Sequence, residues 1–136
     1  MENQTIDKLA WMHFENQKQL VVRTKGKDKF YNPGGKRMPG ETDVQALARE
    51  IKEELDIEII PETAKLFATY TAQADGKPAG VMVKITTYTA DYKGTLKPSG
   101  EIEEIAFIDS SDEHRLSAIH MAGGILEDLV TKGLIK

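Results

Sequence analysis

Hydrophobic and polar residues alternate along several segments of the chain, as they do in strands that bury one face. The run over residues 80–92 shows this most clearly, because Val81, Val83 and Ile85 fall on the same face. Such patterns predict strands at residues 6–14, 19–24, 57–60, 66–73, 80–92 and 102–108. Turns are predicted at residues 15–18 and 75–78. Much of the chain is therefore expected to form a β-sheet.

The pattern becomes helical over residues 42–55. Thr42 is suited to cap the first turn, and Gln45 completes the reciprocal pair of bonds called a capping box. Apolar residues recur every three or four positions and form one stripe, made of Val44, Leu47, Ala48, Ile51 and Leu55. This spacing predicts a helix that buries one side against the sheet.

A second helix is predicted to close the chain over residues 112–132. Its inward stripe consists of Leu116, Ile119, Gly123, Leu126 and Val130. The pair Gly123-Gly124 marks a break point, because each glycine inside a helix costs about 1 kcal/mol relative to alanine. Strands, a helix, more strands and a last helix indicate an α/β fold class, with a mixed β-sheet covered by helices on two faces.

The 136 residues suffice for one domain, so residues 1–136 are expected to fold as a single unit without an attached DNA-binding unit. No apolar run approaches the roughly 18 residues of a membrane span, and the start does not resemble a secretory signal. Cysteine is absent, which excludes disulfides and thiolate metal sites. We expect a cytoplasmic protein without a membrane partner.

Charge is distributed unevenly, although the net charge is only −4. Residues 23–37 hold six basic side chains and one acid, whereas residues 41–58 hold seven acids. Neighbouring segments of opposite charge can bind a multivalent anion together with its metal ion. Two solvated faces are the alternative, and charge alone favours them.

The helix at 42–55 has an acidic side opposite its apolar stripe. Glu50 is followed by Glu53 and Glu54 three and four positions later, where Cβ atoms lie about 5–6 Å away. Like charges at this spacing repel one another, whereas Mg²⁺ favours carboxylate oxygens as ligands. The alternatives of a metal site and a solvated acidic face stay open on this segment alone.

The segment 25–40 is rich in glycine, proline and lysine and predicts a loop, with a short strand near Phe30-Tyr31. It contains the sequence Pro33-Gly34-Gly35-Lys36. The two glycines allow the backbone to approach a ligand closely, and a carbonyl there would be a further oxygen ligand. A plain tight turn is the alternative.

Taken together, these residues resemble the Nudix box. Five residues separate Gly35 from Glu41, and seven more precede the run Arg49-Glu50-Ile51-Lys52-Glu53-Glu54-Leu55-Asp56-Ile57. Every position matches except Asp56, where the box has glycine. Aspartate tolerates the left-handed geometry favoured at a helix C-terminus, so we expect a cost of about 1 kcal/mol or less. The later stretch from Glu101 to Phe107 resembles the family's E-x-x-E-x-x-W, with Phe107 in place of tryptophan.

The resemblance implies the Nudix-type α/β/α sandwich and hydrolysis of a nucleoside diphosphate linked to another moiety, with Mg²⁺ or Mn²⁺ as cofactor. It also implies metal ligands at Glu50, Glu53 and Glu54, with the Gly34 carbonyl as a further ligand. Arg49 would orient the carboxylates, supported by Glu41. The metal would neutralise phosphate charge and lower the pKa of bound water.

The resemblance leaves the general base open between two glutamates. Glu53 lies within the box and is the first choice, while Glu101 precedes a late strand and is the alternative. The predicted catalytic set is therefore Glu53, Arg49, Glu50, Glu54 and Glu101. Predicted substrate contacts are Arg23, Gly34, Gly35 and Lys36, which flank the expected phosphate position.

The box defines a diphosphate without naming the nucleoside or the leaving group. The small domain favours a nucleoside triphosphate, ordinary or oxidised, as the small-molecule partner. The alternatives are a hydrolase of ADP-ribose or a nucleotide sugar, and a catalytically silent nucleotide-binding module. Three mutually repelling glutamates argue against a silent module. The sequence does not choose between a monomer and a homodimer.

Overall fold

The computed structural model describes residues 5–74, 77–117, 120, 121 and 123–136. The strands are β1 (Thr5–Trp11), β2 (Phe14–Glu15), β3 (Lys18–Thr24), β4 (Gly34–Lys36), β5 (Glu58–Ile59), β6 (Lys65–Gln73), β7 (Met82–Thr89), β8 (Tyr92–Lys93) and β9 (Ile102–Ile108). The helices are α1 (Asp43–Leu55) and α2 (Ile125–Thr131), and short 3₁₀ turns occupy Pro61–Thr63 and Ser110–Arg115. No helix in these residues is long and apolar enough to cross a membrane.

The largest sheet is mixed, as predicted. Its strand order is β4-β1-β7-β6, with β1 parallel to β7 and the outer pairs antiparallel. A second, antiparallel sheet has the order β2-β3-β9, and β5 pairs with β8. The segment expected as one strand at 6–14 therefore divides between β1 and β2. The segment at 80–92 likewise ends its main strand at Thr89.

Two hydrophobic cores lie on opposite sides of β1 and β3. Leu9 and Trp11 of β1 pack with Leu47, Ile51 and Leu55 of α1. The intervening residues Ala10 and Met12 instead join the core that contains Ile125 and Leu129 of α2. This alternation positions helices on both sides of the strands, as the predicted α/β/α arrangement requires.

Helix α1 begins and ends where the sequence predicts. Thr42 caps it, and the reciprocal bonds between Thr42 and Gln45 are both present. Of the predicted stripe, Leu47, Ile51 and Leu55 are fully buried, whereas Val44 and Ala48 are half-buried and Ala46 is fully buried in their place. Asp56 adopts the left-handed conformation at the end, with φ 55°. It pairs with Lys52 at 3.2 Å and with Lys97 at 3.1 Å, which lowers the pKa of Asp56.

Replacing Asp56 by glycine should change stability little. Glycine removes the cost of the left-handed conformation, but the variant also loses two exposed ion pairs of small individual value. We expect the free energy of unfolding to change by less than about 1 kcal/mol. Urea denaturation of both proteins measures the difference, and a larger loss would show that the bridge to Lys97 is more important than its exposure suggests.

The prediction of one closing helix over 112–132 is wrong. Backbone bonds join Phe30 to Arg115 and Ser117, which draws this part of the chain into an extended pairing. Gly124 has φ 75°, outside helical geometry, and α2 begins only after it. Of the predicted inward residues, Leu116 and Leu126 are buried and Val130 is 40% exposed, while Ile119 lies outside the described residues.

The loop at 25–40 contains a strand that the sequence did not predict. Phe30 and Tyr31 form isolated bridges, as the expected short strand would, but β4 comes later, at Gly34–Lys36. Glycines have no strand propensity, so only pairing with β1 defines this strand. The turn before β3 forms as predicted at Asn16 and Gln17, whereas half of the turn at 75–78 lies outside the described residues.

Candidate active site

The two glycines of β4 allow the chain to pass very close to β1 and α1. A Cβ atom on Gly34, which has φ 147°, would lie 2.0 Å from the Leu9 carbonyl oxygen. A Cβ atom on Gly35 would lie 2.6 Å from the carboxyl group of Glu50. Only glycine therefore fits at position 34, and a larger residue at position 35 would displace the Glu50 carboxyl group. The result is a backbone segment held against the acidic side of α1.

Glu54 is the carboxylate most deeply embedded between α1 and β4. The Gly34 N–H donates a hydrogen bond of 3.0 Å to its Oε1. The pKa of Glu54 is raised to about 8, mainly by burial and also by the negative charges of Glu50 and Glu53. The hydrogen bond from Gly34 and the positive charge of Lys8 lower the pKa, but they offset only part of the increase. The carboxyl group thus lies in surroundings that disfavour an uncompensated negative charge.

Arg49 connects the glutamates of α1 to the loop before it. Its Nε and Nη2 bond both carboxylate oxygens of Glu41, at 2.8 and 2.9 Å, and Nη1 bonds Glu50 at 2.9 Å. Nη2 also donates to the Lys36 carbonyl at 3.0 Å. The bond from Arg49 lowers the pKa of Glu41 to about 2 and raises that of Arg49. This arrangement holds the Glu50 side chain in one orientation.

Replacing Arg49 by lysine should lower activity although the charge is kept. An ammonium group cannot bond both oxygens of Glu41 while also reaching Glu50 and the Lys36 carbonyl. We expect kcat to fall about tenfold or more, with a smaller change in melting temperature. Steady-state kinetics and thermal unfolding of the two proteins test this. Unchanged kcat would contradict a positioning role for Arg49.

The segment that precedes Glu101 packs against the backbone of Glu53 and Glu54. The Glu53 side chain is 59% exposed and lies 3.6 Å from Arg49 Nη1. The segment before Glu101 lies against the end of α1, where the Ser99 N–H donates to the Glu54 carbonyl at 2.9 Å. A Cβ atom on Gly100 would lie 3.0 Å from the Glu53 carbonyl oxygen. The fold therefore brings the segment before Glu101 next to the C-terminal end of α1.

The carboxylates of α1 do not already enclose a metal position. Among the described residues, no three His, Asp or Glu side chains stand close enough together to hold an ion. Glu50 is turned to Arg49, and Glu54 to the Gly34 N–H. The donor set still fits a divalent cation, because Glu54 is desolvated beside two further carboxylates and forms no ion pair in the described chain.

A cavity of about 500 Å³ opens beside Glu54. Polar and basic side chains make up much of its wall, together with backbone of β1 and β4. It is lined by Lys8, Leu9, Ala10, Thr24, Lys27, Asp28, Lys29, Tyr31, Asn32, Gly34, Gly35, Glu54, Ile85, Ser117 and His120. The volume suits a small organic ligand. Of the predicted site residues, Gly34, Gly35 and Glu54 line this cavity.

Lys8 is a site residue that sequence reasoning missed. It lies on β1 opposite Lys36 of β4, and it lines the cavity. Burial and the nearby Lys36 lower the pKa of Lys8, while Glu54 and Glu50 oppose this shift. Its position in an otherwise apolar part of β1, Lys8-Leu9-Ala10-Trp11, was the available signal.

Arg23 lies beside this arrangement, but its guanidinium group is engaged elsewhere. Its guanidinium group pairs with Glu103 at 2.9 Å and Glu104 at 3.0 Å, and it also donates to the Lys27 carbonyl. These bonds raise the pKa of Arg23. Within the described chain Arg23 is not part of the cavity wall, so a phosphate contact would require it to exchange partners.

His120 is a buried histidine in the cavity wall, with 1% of its surface exposed. Within the described residues neither ring nitrogen has a hydrogen-bond partner. Burial lowers the pKa of His120 to about 4. The ring is therefore neutral at pH 7, with one nitrogen able to donate and the other able to accept.

The buried His120 should make stability dependent on pH. Its pKa is lower in the folded chain than the ordinary value of 6.5, so the unfolded chain binds more protons between pH 6.5 and 4. The stability that neutral His120 allows is fully present above pH 6.5 and is lost as the pH falls toward 4. At pH 5 the free energy of unfolding should be about 2 kcal/mol lower on this account.

Urea denaturation at pH 7 and pH 5, for the unchanged protein and for His120→Asn, isolates this effect from that of the carboxylates. The decrease between the two pH values should be smaller in the variant. Equal decreases in both proteins would contradict the assignment.

A model of the NUDIX domain matches residues 9–126, and the chain belongs to this family. An ADP-ribose pyrophosphatase from Methanocaldococcus jannaschii is 31% identical over 109 residues, or 78% of this chain, which spans 63% of that relative's length. The MutT protein from Methanosarcina mazei Go1 has a TM-score of 0.75 and 18% identity, over 97% of both chains. A MutT NUDIX hydrolase from Burkholderia pseudomallei has a TM-score of 0.71 and 22% identity, over 91% of this chain and 97% of that one. The predicted family and fold are confirmed.

Proposed function

We propose that this protein is a Mg²⁺-dependent pyrophosphohydrolase that cleaves the diphosphate of a nucleoside diphosphate linked to another moiety. The observation that carries this proposal is the acidic side of α1 held against the glycine strand β4, with Glu54 in the wall of a cavity of about 500 Å³. Family membership adds support, because NUDIX hydrolases generally use a divalent metal ion.

Glu50, Glu53 and Glu54, with the Gly34 carbonyl, would hold the metal ion. When bound, it would supply charge neutralisation for the phosphates and a more acidic bound water. The chain itself would position the carboxylate ligands, because Arg49 orients Glu50 and the Gly34 N–H orients Glu54. In phosphoryl transfer such positioning and charge stabilisation account for most of the rate.

Glu53 is our first choice as the general base. Its exposed carboxylate, with only a 3.6 Å contact to Arg49, supports this choice because the side chain is free to reach a water molecule. Glu101 is the second choice, supported by the bonds that join its segment to the end of α1. Glu53→Gln and Glu101→Gln distinguish them, since the variant of the base should lose the rise of kcat with pH.

Gly34, Gly35 and Lys36 are proposed substrate contacts, because β4 borders the cavity beside Glu54. Lys8 is added to this group for the same reason. Arg23 would contact the substrate only after its ion pairs with Glu103 and Glu104 are broken. We favour a nucleoside triphosphate, ordinary or oxidised, as the substrate. ADP-ribose is a second candidate, supported by the 31% identical relative, which is an ADP-ribose pyrophosphatase.

A phosphate-release screen with Mg²⁺ tests the function. The panel contains nucleoside triphosphates including 8-oxo-dGTP, ADP-ribose, nucleotide sugars and dinucleotides, with pyrophosphatase or phosphatase added to reveal the products. Metal-dependent turnover of one class, lost in Glu53→Gln, would establish the enzyme and its substrate class. Binding detected by thermal shift without any turnover would instead support a silent nucleotide-binding module.

A further inference from the structure

Gln19 is a fully buried amide that holds the side chain of Asn32. Gln19 lies on β3, where its Nε2 donates to Asn32 Oδ1 at 2.5 Å and contacts Met12 Sδ at 3.2 Å. Its own Oε1 is buried without a partner in the described chain. A buried oxygen left unpaired is costly, so this residue is poorly explained by stability alone.

The bond from Gln19 engages the oxygen of the Asn32 side chain. Asn32 lines the cavity and is half-buried, whereas Gln19 lies behind it and is not part of the wall. Because Oδ1 of Asn32 accepts from Gln19, the Nδ2 group is left to donate toward a ligand. Of the two polar ends of Asn32, the donor end is thus the one available to a ligand.

His120 supplies a second polar group in the same wall. Its ring is buried, and both nitrogens lack partners among the described residues. A buried neutral imidazole without partners is costly, and it becomes satisfied when a ligand offers complementary atoms. Tyr31 also lines the cavity and offers an aromatic surface. A planar ring with a polar edge fits this set of groups.

We propose that Asn32 and His120 contact the base of the nucleotide, and that Gln19 is a positioning residue that makes the cavity prefer a keto group over an amino group. This inference rests on the proposed function for the identity of the ligand as a nucleotide. A keto oxygen accepts from Asn32 Nδ2, whereas an amino group in the same place sets two donors against each other. Guanine, hypoxanthine and uracil nucleotides belong to the preferred class, and adenine and cytosine nucleotides do not.

The experiment compares nucleoside monophosphates that differ in this exocyclic group and in the adjacent ring nitrogen, which carries a hydrogen only in the keto member. Binding of IMP and AMP, and of UMP and CMP, is measured by calorimetry in the presence of Mg²⁺. A monophosphate has no anhydride bond, so the result does not depend on turnover. In the pair that binds more tightly, the keto member should bind about tenfold better, the value of one hydrogen bond.

Three variants separate the roles. Gln19→Met removes the donor to Asn32 and should bring the keto-to-amino affinity ratio close to one. Asn32→Asp still accepts from Gln19 but presents an acceptor to the ligand, so its preference should reverse to the amino member. His120→Asn should weaken both members of a pair. The matched control His114→Asn, at an exposed position, should leave both affinities and their ratio unchanged.

The proposal is overturned by equal affinities within the tighter-binding pair, by an amino preference in the unchanged protein, or by an unaltered ratio in Asn32→Asp. Absence of binding for all four monophosphates would also overturn it. If Gln19→Met fails to fold, Asn32→Asp decides the matter alone. Loss of hydrolysis in the earlier screen, together with a keto preference here, would remove the proposed function and leave this inference intact.

Discussion

Replacing Glu54 by glutamine is expected to lower kcat on the identified substrate by about a hundredfold or more, while the fold is kept. The glutamine carbonyl can still accept from the Gly34 N–H, so the contact between α1 and β4 survives. What disappears is the negative charge that Glu54 would contribute to metal binding. Burial disfavours that charge in the free protein, so its removal should not lower the melting temperature.

Kinetics at saturating substrate, together with thermal unfolding, measure both parts of this prediction. The matched control is Glu62→Gln, an exposed carboxylate in the turn after β5, which should retain full activity. Full activity in Glu54→Gln would remove Glu54 from the site. A large loss of melting temperature would instead show that its carboxylate stabilises the fold.

Replacing Gly34 by alanine should have the largest effect on stability. The new methyl group would lie 2.0 Å from the Leu9 carbonyl oxygen and 2.8 Å from the Ala10 Cα, both of which are backbone atoms of a central strand. Neither can move without breaking the pairing of β1 with β4 and β7. We expect a loss of roughly 3–5 kcal/mol, and a melting temperature lower by on the order of 10 °C or more.

Gly26→Ala is the control for this substitution. Gly26 also has a positive φ of 81°, but no atom lies within 4 Å of the Cβ it would gain. The decrease in the free energy of unfolding of Gly26→Ala measures the conformational cost of a non-glycine residue there, which should be about 1 kcal/mol. The difference between the two variants then measures the contact with β1. Equal losses would contradict the importance of that contact.

The sequence was sufficient to predict α1 because its signals are local. The cap at Thr42, the apolar spacing and the tolerance of Asp56 for a left-handed end all depend on residues within a few positions of one another. The acidic face and the Arg49 pairing with Glu41 are likewise close in sequence. Local chemistry of this kind is what periodicity and capping rules describe.

The features that were missed depend on distant partners. Strand β4 exists because Gly34 and Gly35 pair with β1, and nothing in a run of glycines predicts that pairing. The closing helix was interrupted because Phe30 bonds Arg115 and Ser117, which are about 85 positions away. Lys8 lies in the cavity wall on the strand that pairs with β4. Tertiary contacts outweighed local propensity in each case.

The alternating packing of β1 has a consequence for how the chain tolerates changes in length. Leu9 and Trp11 serve one core, and Ala10 and Met12 serve the other, so inserting one residue would exchange the two sets. Small and large side chains would then meet the wrong helix, and Lys8 would turn away from the cavity. Both cores would be disrupted together, because both contain side chains of this strand. Tolerated insertions should therefore be confined to connections such as the one at Gly26, which faces open space and is not part of the cavity wall.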